Sequence, residues 1–231
     1  MGVETMELNQ LRVALDGPSG AGKSTIAKAV AAKTGLIYVD TGALYRTVGL
    51  YAYENGVATD DTAGIIALLD SIDIRLTYRD GVQCVLLHGE PVGERIRTET
   101  GSVYASAVSK IPEVRAYLLD MQKKLAEEGG VIMDGRDIGT VIMPDAEIKI
   151  FMTASAEERA KRRYKEQMER GLEVTFEEVL AAIIARDKQD SERDAAPLKP
   201  ADDAEIFDNG PYDVEGSADY IVERMKQYLA K

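Results

Sequence analysis

The chain is short of several things, and each shortage excludes something. Among its 231 residues there is one cysteine, Cys84. An internal disulfide is therefore excluded, and a lone thiol, small and apolar in behaviour, fits a reducing cytosol. No apolar run approaches the roughly 18 residues needed to span a bilayer, so no membrane partner is expected. Basic residues are outnumbered, 28 Lys and Arg against 40 Asp and Glu, which leaves a net charge of −12. Such a chain repels a polyanion overall, and nucleic acid is not an expected partner. Residues 1–10 are acidic and carry no signal-peptide pattern. No repeat or low-complexity segment stands out, and no Asn-Lys-x-Asp run occurs, the feature that guanine-specific regulatory GTPases normally show. The expectation is a cytoplasmic monomer, large enough to bury one full core.

What the chain does have is Gly-Pro-Ser-Gly-Ala-Gly-Lys-Ser at residues 17–24, the spacing G-x-x-x-x-G-K-S. The apolar-alternating run 11–15 precedes it, and the helix-forming run 25–32 follows at once. Strand, glycine loop and helix in that order are the context this motif requires. Gly17, Gly20 and Gly22 let the backbone curl so that successive N–H groups point inward, beside the positive end of a helix dipole. Lys23 adds a point charge near the β- and γ-phosphates, and the Ser24 hydroxyl can ligate Mg²⁺. The triphosphate site is therefore Gly17, Pro18, Ser19, Gly20, Ala21, Gly22, Lys23, Ser24 and Thr25.

Strands alternate with helices almost to the end. Strands are expected near 36–40, 131–133, 147–152 and 205–207, and helices over 43–54 and 112–128. Capping boxes at Ser155–Glu158 and Thr175–Glu178 open two further helices, and Ser217 is the expected cap of a last one. This pattern specifies an α/β fold with a central parallel sheet covered by helices on both faces. Residues 72–78 and 82–87 flank an Asp-Gly turn and read as a hairpin. A hairpin does not belong to a parallel crossover, so residues near 61–105 read as a small antiparallel insert. The expected organisation is a tail over 1–10, then one domain over 11–231 with that insert.

Two arginines stand at strand ends on the side of the glycine loop. Arg46 lies on the first turn after the second strand, and Arg136 follows the strand 131–133. Alone, either reads as a surface residue; together beside a phosphate loop they suggest an acceptor that is itself a phosphate. Asp134 and Asp16 both end apolar strands, and either could hold water around Mg²⁺. Arg186, Asp190 and Arg193 share a helix face by spacing, which alone suits a solvated ion-pair ladder. Arg159, Lys161, Arg162, Arg163 and Lys165 concentrate positive charge in an acidic chain, and phosphoryl transfer needs such counter-charge.

The segments 16–24, 41–46, 96–98, 134–140 and 186–198 together resemble the bacterial cytidylate kinases, over nearly the whole chain from about Leu11. The resemblance implies a P-loop kinase fold with an enlarged monophosphate-binding insert and a helical lid, here about 155–173. It implies phosphorylation of CMP and dCMP by ATP with Mg²⁺. Arg46 and Arg136 would hold the monophosphate, Ser106, Arg115, Asp137 and Arg193 would read cytosine, and Arg186, Asp190 and Thr41 would reach the ribose. Tyr45 joins the same CMP-binding set, while Arg159 and Arg162 would lie on the lid and act with Lys23 and Arg136 in catalysis. Thr41 stands where some members have Ser, and Ser24 where some have Gly.

Cytosine offers an amino donor at position 4 and an acceptor at position 3, and uracil reverses both. A carboxylate such as Asp137 accepts from the amino group, while Arg115, Arg193 or Ser106 donates to the ring. The attacking phosphate oxygen is already anionic, so no general base or covalent intermediate is required, and the lone His88 need not be catalytic. Two other readings stand beside this one: a P-loop kinase acting on uridylate or shikimate, and a regulatory GTPase, which the missing Asn-Lys-x-Asp run disfavours.

Overall fold

A computed structural model describes residues 6–79 and 82–231 of the chain. The chain divides into two compact units, Met1–Ile37 with Glu128–Lys231, and Tyr38–Glu127. The sequence placed an insert at 61–105; the second unit includes that stretch and reaches further in both directions.

The first unit is built on parallel strands. Strand β1 (Arg12–Asp16) lies between β6 (Val131–Gly135) and β7 (Ile148–Thr153), with β8 (Glu205–Asp208) beyond β7. The full sheet order is β2-β6-β1-β7-β8, where β2 is Ile37–Asp40. Consecutive residues of β1 and β6 are buried, as strands covered on both faces require. Strand β7 instead alternates buried and half-buried positions. Helix α1 (Lys23–Thr34) packs against β6 and α8 (Val214–Leu229). Leu15, Ile132, Met133, Ile150, Met152 and Ile221 are among the fully buried side chains between these elements. The remaining helices are α6 (Ala156–Glu169) and α7 (Phe176–Glu192), which pack together and are opened by the two expected capping boxes. After β6 the chain makes a tight helical turn over Ile138–Ile142.

The second unit holds α2 (Thr41–Glu54), α3 (Thr62–Leu68), α4 (Glu99–Val108) and α5 (Pro112–Glu127). Its antiparallel sheet has the order β3-β4-β5, with β3 Ile74–Arg79, β4 Val82–Leu87 and β5 Glu90–Pro91. The register Ile74↔Leu87 through Arg79↔Val82 is that of the expected hairpin, whose Asp80-Gly81 turn lies outside the described residues. Leu44, Ile65, Val85, Val108 and Leu118 belong to one buried cluster. Sequence reading saw the hairpin here but not α3 (Thr62–Leu68) or α4 (Glu99–Val108), both of them short and each carrying a glycine.

Two helix starts differ from expectation. Helix α2 begins at Thr41 rather than 43, because Asp40 caps it and accepts from the Ala43 N–H at 2.9 Å. Helix α8 is capped by Asp213, which accepts from the Gly216 N–H at 2.7 Å, and not by Ser217. Ser217 lies one turn inside and is fully buried. Asp213→Ala is expected to cost about 1 kcal/mol, read as a melting temperature lower by a few degrees. An unchanged transition would remove the cap from Asp213.

Candidate active site

The glycine loop belongs to the first unit. Residues 17–22 join the end of β1 to α1, whose N-cap, Gly22, is left-handed at φ 85°. A side chain would be strained there. Gly17 is required for another reason: a Cβ on it would lie 2.1 Å from the Met152 carbonyl oxygen of β7. Lys23, only 6% exposed, donates from Nζ to the carbonyls of Gly17 and Pro18, each at 2.8 Å. Burial, then the nearby Arg136 charge, push its pKa down to about 7 against the pull of Asp134, Asp16 and Asp190. Ser24 and Thr25, on the first turn of α1, are exposed.

The two strand-end aspartates separate cleanly. Ser24 Oγ donates to Asp134 Oδ2 at 2.7 Å. Asp16 is engaged elsewhere, its two oxygens accepting the N–H groups of Ile138 and Gly139 at 2.8 and 2.7 Å. Register accounts for the difference. Leu15 pairs with Asp134 and Asp16 with Gly135, so the two carboxylates leave opposite faces of the sheet. Asp16 thus latches the turn after β6, and burial raises its pKa to about 6 despite both amides.

Beyond β6, Arg136 Nε donates to Asp190 Oδ2 at 2.8 Å, and Arg193 Nη2 lies 3.9 Å from Asp137 Oδ1. Asp137 and Asp190 are both buried. Burial would push Asp190 up, yet the charge and hydrogen bond of Arg136, with the charges of Arg186 and Arg193, hold it below the usual carboxylate range. The ladder suggested by the spacing of Arg186, Asp190 and Arg193 is therefore not a solvated one. Asp190 faces inward, and Arg193 is the C-cap in extended backbone, its Nε donating to the Ala196 carbonyl at 2.6 Å.

Arg159 is buried and held by three partners. Its Nε donates to the Ala154 carbonyl and its Nη1 to the Ser19 carbonyl, both at 3.0 Å, while Nη2 meets Asp187 Oδ2 at 2.6 Å. It is therefore not an exposed arm. Arg162, one turn on, donates to the carbonyls of Ala21 and Asn209, each at 3.4 Å. The first unit thus gathers the glycine loop with Asp134, Arg136, Asp137, Arg159, Arg162, Arg186, Asp190 and Arg193.

Thr41, Tyr45, Arg46, Ser106 and Arg115 lie in the second unit. Arg46 Nη2 donates to Asp40 Oδ2 at 2.7 Å, and its Nε is buried without a hydrogen-bond partner among the described residues. The Gln83 side chain holds the Asp40 backbone at both ends, accepting from N at 2.6 Å and donating to O at 3.3 Å. Arg115 stacks over the Tyr45 ring at 5.6 Å and donates to the Ser109 carbonyl at 3.4 Å. Thr41 is buried, and the Ser106 carbonyl accepts from Ser109 Oγ at 3.0 Å.

Sequence reading missed Asp40, Gln83, Asp187 and Asn209. Asp40 had a local signal, a capping residue directly after a strand. The other three act through distant partners and had none.

A lysine depressed to about 7 is mostly neutral at pH 8, and a bound polyphosphate favours its charged form. With ¹³C-labelled lysine, one resonance, missing from Lys23→Met, should titrate near pH 7 and move upward by more than one unit on adding Mg-ATP. A midpoint above 9 without nucleotide would contradict the assignment.

Comparison with known proteins identifies the family. The cytidylate kinase family model matches residues 13–229. The cytidylate kinase of Caldicellulosiruptor bescii is 48% identical over 216 residues, covering 94% of this chain and 96% of that protein. That of Thermosipho melanesiensis is 49% identical over 216 residues, with 94% and 97% covered. Among solved structures, an uncharacterized protein from Eubacterium ventriosum aligns with a TM-score of 0.53 at 14% identity, over 94% of this chain and 99% of that one. That likeness shows the fold alone. The chain belongs to the cytidylate kinase family.

Proposed function

We propose that the chain transfers the γ-phosphoryl group of ATP to the phosphate of CMP, and of dCMP, giving ADP and CDP or dCDP. The observation that carries this is Arg136 bound to Asp190 at 2.8 Å, with the Arg193–Asp137 pair, just past the end of β6, the strand paired with β1 whose end opens the glycine loop. One anion site and one set of paired guanidinium groups serve two phosphates.

A CMP phosphate oxygen forms the new bond to the γ-phosphorus as the β–γ bridging bond breaks, and ADP leaves with that electron pair. The nucleophile needs no proton removed. The work of the chain is alignment and counter-charge. Lys23 and the loop amides hold the β- and γ-phosphates. Arg46, whose buried Nε has no hydrogen-bond partner among the described residues, and Arg136 are each assigned to the acceptor phosphate. We assign the lid to about residues 155–173, with Arg162 as its counter-charge; Arg159, tied to three partners, supplies a fixed charge behind the loop.

Ser24 and Asp134 would hold Mg²⁺. Their two adjacent oxygens suit an ion that takes one or two protein ligands and the rest from phosphates and water. No cluster of three or more His, Cys, Asp or Glu side chains placed to hold a metal occurs among the described residues. When bound, Mg²⁺ supplies charge neutralisation on the β- and γ-phosphates.

Asp137 reads the cytosine amino group, with Arg193, Arg115 and Ser106 as donors to the ring, and Arg186, Asp190 and Thr41 serve the ribose. Tyr45, under Arg115, belongs to the same CMP-binding set. Uracil would set a buried carboxylate against a carbonyl oxygen. Each reversed contact costs about 1–3 kcal/mol, so two give roughly 10²- to 10⁴-fold discrimination. The acidic chain and its single free cysteine suit a cytoplasmic enzyme acting on small nucleotides, and the chain as a monomer carries every residue assigned a role. No helix among the described residues is long and apolar enough to cross a membrane.

In a coupled assay with ATP, kcat/KM for CMP should exceed that for UMP by at least 10²-fold; equal turnover of UMP would reject the cytosine assignment. Asp137→Ala should raise the KM for CMP and narrow the CMP/UMP ratio at least tenfold. An unchanged ratio would remove Asp137 from base reading.

A further inference from the structure

Asn209 follows β8 directly, 188 positions along the chain from the residue it grips. It is 2% exposed. Its Nδ2 donates to the Ala21 carbonyl at 2.8 Å, and its backbone N–H donates to the Thr153 carbonyl at 3.0 Å. Oδ1 is buried with no hydrogen-bond partner among the described residues. Packing does not account for this side chain, because an apolar group of the same size would fill the space without burying an unpaired acceptor.

The geometry of the peptide bond does account for it. In a trans peptide the C=O and the following N–H point to opposite sides. Holding the Ala21 carbonyl against Asn209 therefore turns the Gly22 N–H the other way. Arg162 adds a second donor to the same carbonyl at 3.4 Å and also ties the Asn209 carbonyl at 3.4 Å. Two residues earlier, Arg159 takes the Ser19 carbonyl at 3.0 Å and turns the Gly20 N–H in the same sense. Alternate carbonyls of the loop are thus held by side chains from α6 and from the turn after β8.

We propose that Asn209 is a positioning residue for the triphosphate cradle, fixing the Ala21–Gly22 peptide plane so that the Gly22 N–H faces the phosphates. The inference rests on reading residues 17–24 as that cradle. Glycine at 22 leaves this plane free to rotate. Without the brace, only a fraction of molecules carries a correctly aimed N–H, and polyphosphate affinity falls by that fraction.

The test uses the full chain with Asn209→Ala and Asn209→Leu, the latter filling the volume without a donor. Calorimetry with inorganic tripolyphosphate and Mg²⁺ should show affinity about tenfold weaker in both variants. The KM for ATP should rise by a similar factor, with the KM for CMP and the affinity for adenosine unchanged. Restoration by Leu would make the role one of packing and overturn the proposal. Unchanged tripolyphosphate affinity would overturn it as well, and if adenosine binding then weakened, Asn209 would be placed on the base. Should the wild-type chain bind tripolyphosphate yet fail to phosphorylate CMP, the functional reading fails while the brace is still tested by the same variants.

Discussion

A loop that offers its N–H groups to an anion must turn its carbonyls away, and those carbonyls then need donors of their own. Nearly everything around residues 17–22 serves that requirement. Lys23 takes the carbonyls of Gly17 and Pro18, Arg159 takes that of Ser19, and Asn209 with Arg162 takes that of Ala21. The donors come from α1, from α6 and from the turn after β8, so the cradle is assembled only when the first unit is folded. Its N–H groups are then fixed before any phosphate arrives. Dipoles that need no reorganisation are the ones that stabilise developing charge most effectively.

The charges follow a second rule. In a chain with a net charge of −12, four of the arginines assigned to the nucleotides are each paired with a particular carboxylate: Arg46 with Asp40, Arg136 with Asp190, Arg159 with Asp187, and Arg193 with Asp137. Pairing holds a long, flexible side chain in one geometry and lowers the cost of burying its charge. Where a pair sits at the ligand, a phosphate can share or replace the carboxylate partner. Where it sits behind the loop, as Arg159–Asp187 does, it fixes a carbonyl instead. One residue type thus performs two tasks, and the location of its acidic partner decides which.

Much of this was legible in the sequence, for reasons that can be stated. The glycine loop is local: spacing, preceding strand and following helix all lie within about 25 residues. Both capping boxes are local too, and both occur as read. Ser217 was misread because a capping residue stood near the right place, while Asp213, four residues earlier, had the free position at the helix start. The choice between Asp16 and Asp134 was not readable, since both end apolar strands and only their register separates the faces they occupy. Arg159 lies in a basic run that suggests an exposed arm, and nothing nearby announces Asp187 or Ser19 as partners. Asn209 is the extreme case, a polar residue at a strand end whose meaning lies 188 positions away. Sequence patterns convey what a segment does with its neighbours; the contacts of Asn209 and the ion pairs of Arg136, Arg159 and Arg193 are made between distant segments.

In the proposed reaction aligned amides and counter-charges suffice, with the phosphoryl group passing straight from donor to acceptor and no covalent stop on the chain. The most direct measurement is the stereochemical course at the γ-phosphorus, followed with ATP carrying a chiral, isotopically labelled γ-thiophosphoryl group and CMP as acceptor. A single in-line displacement predicts inversion of configuration in the thio-CDP product. Retention would require two displacements through a phosphorylated residue and would rule out direct transfer.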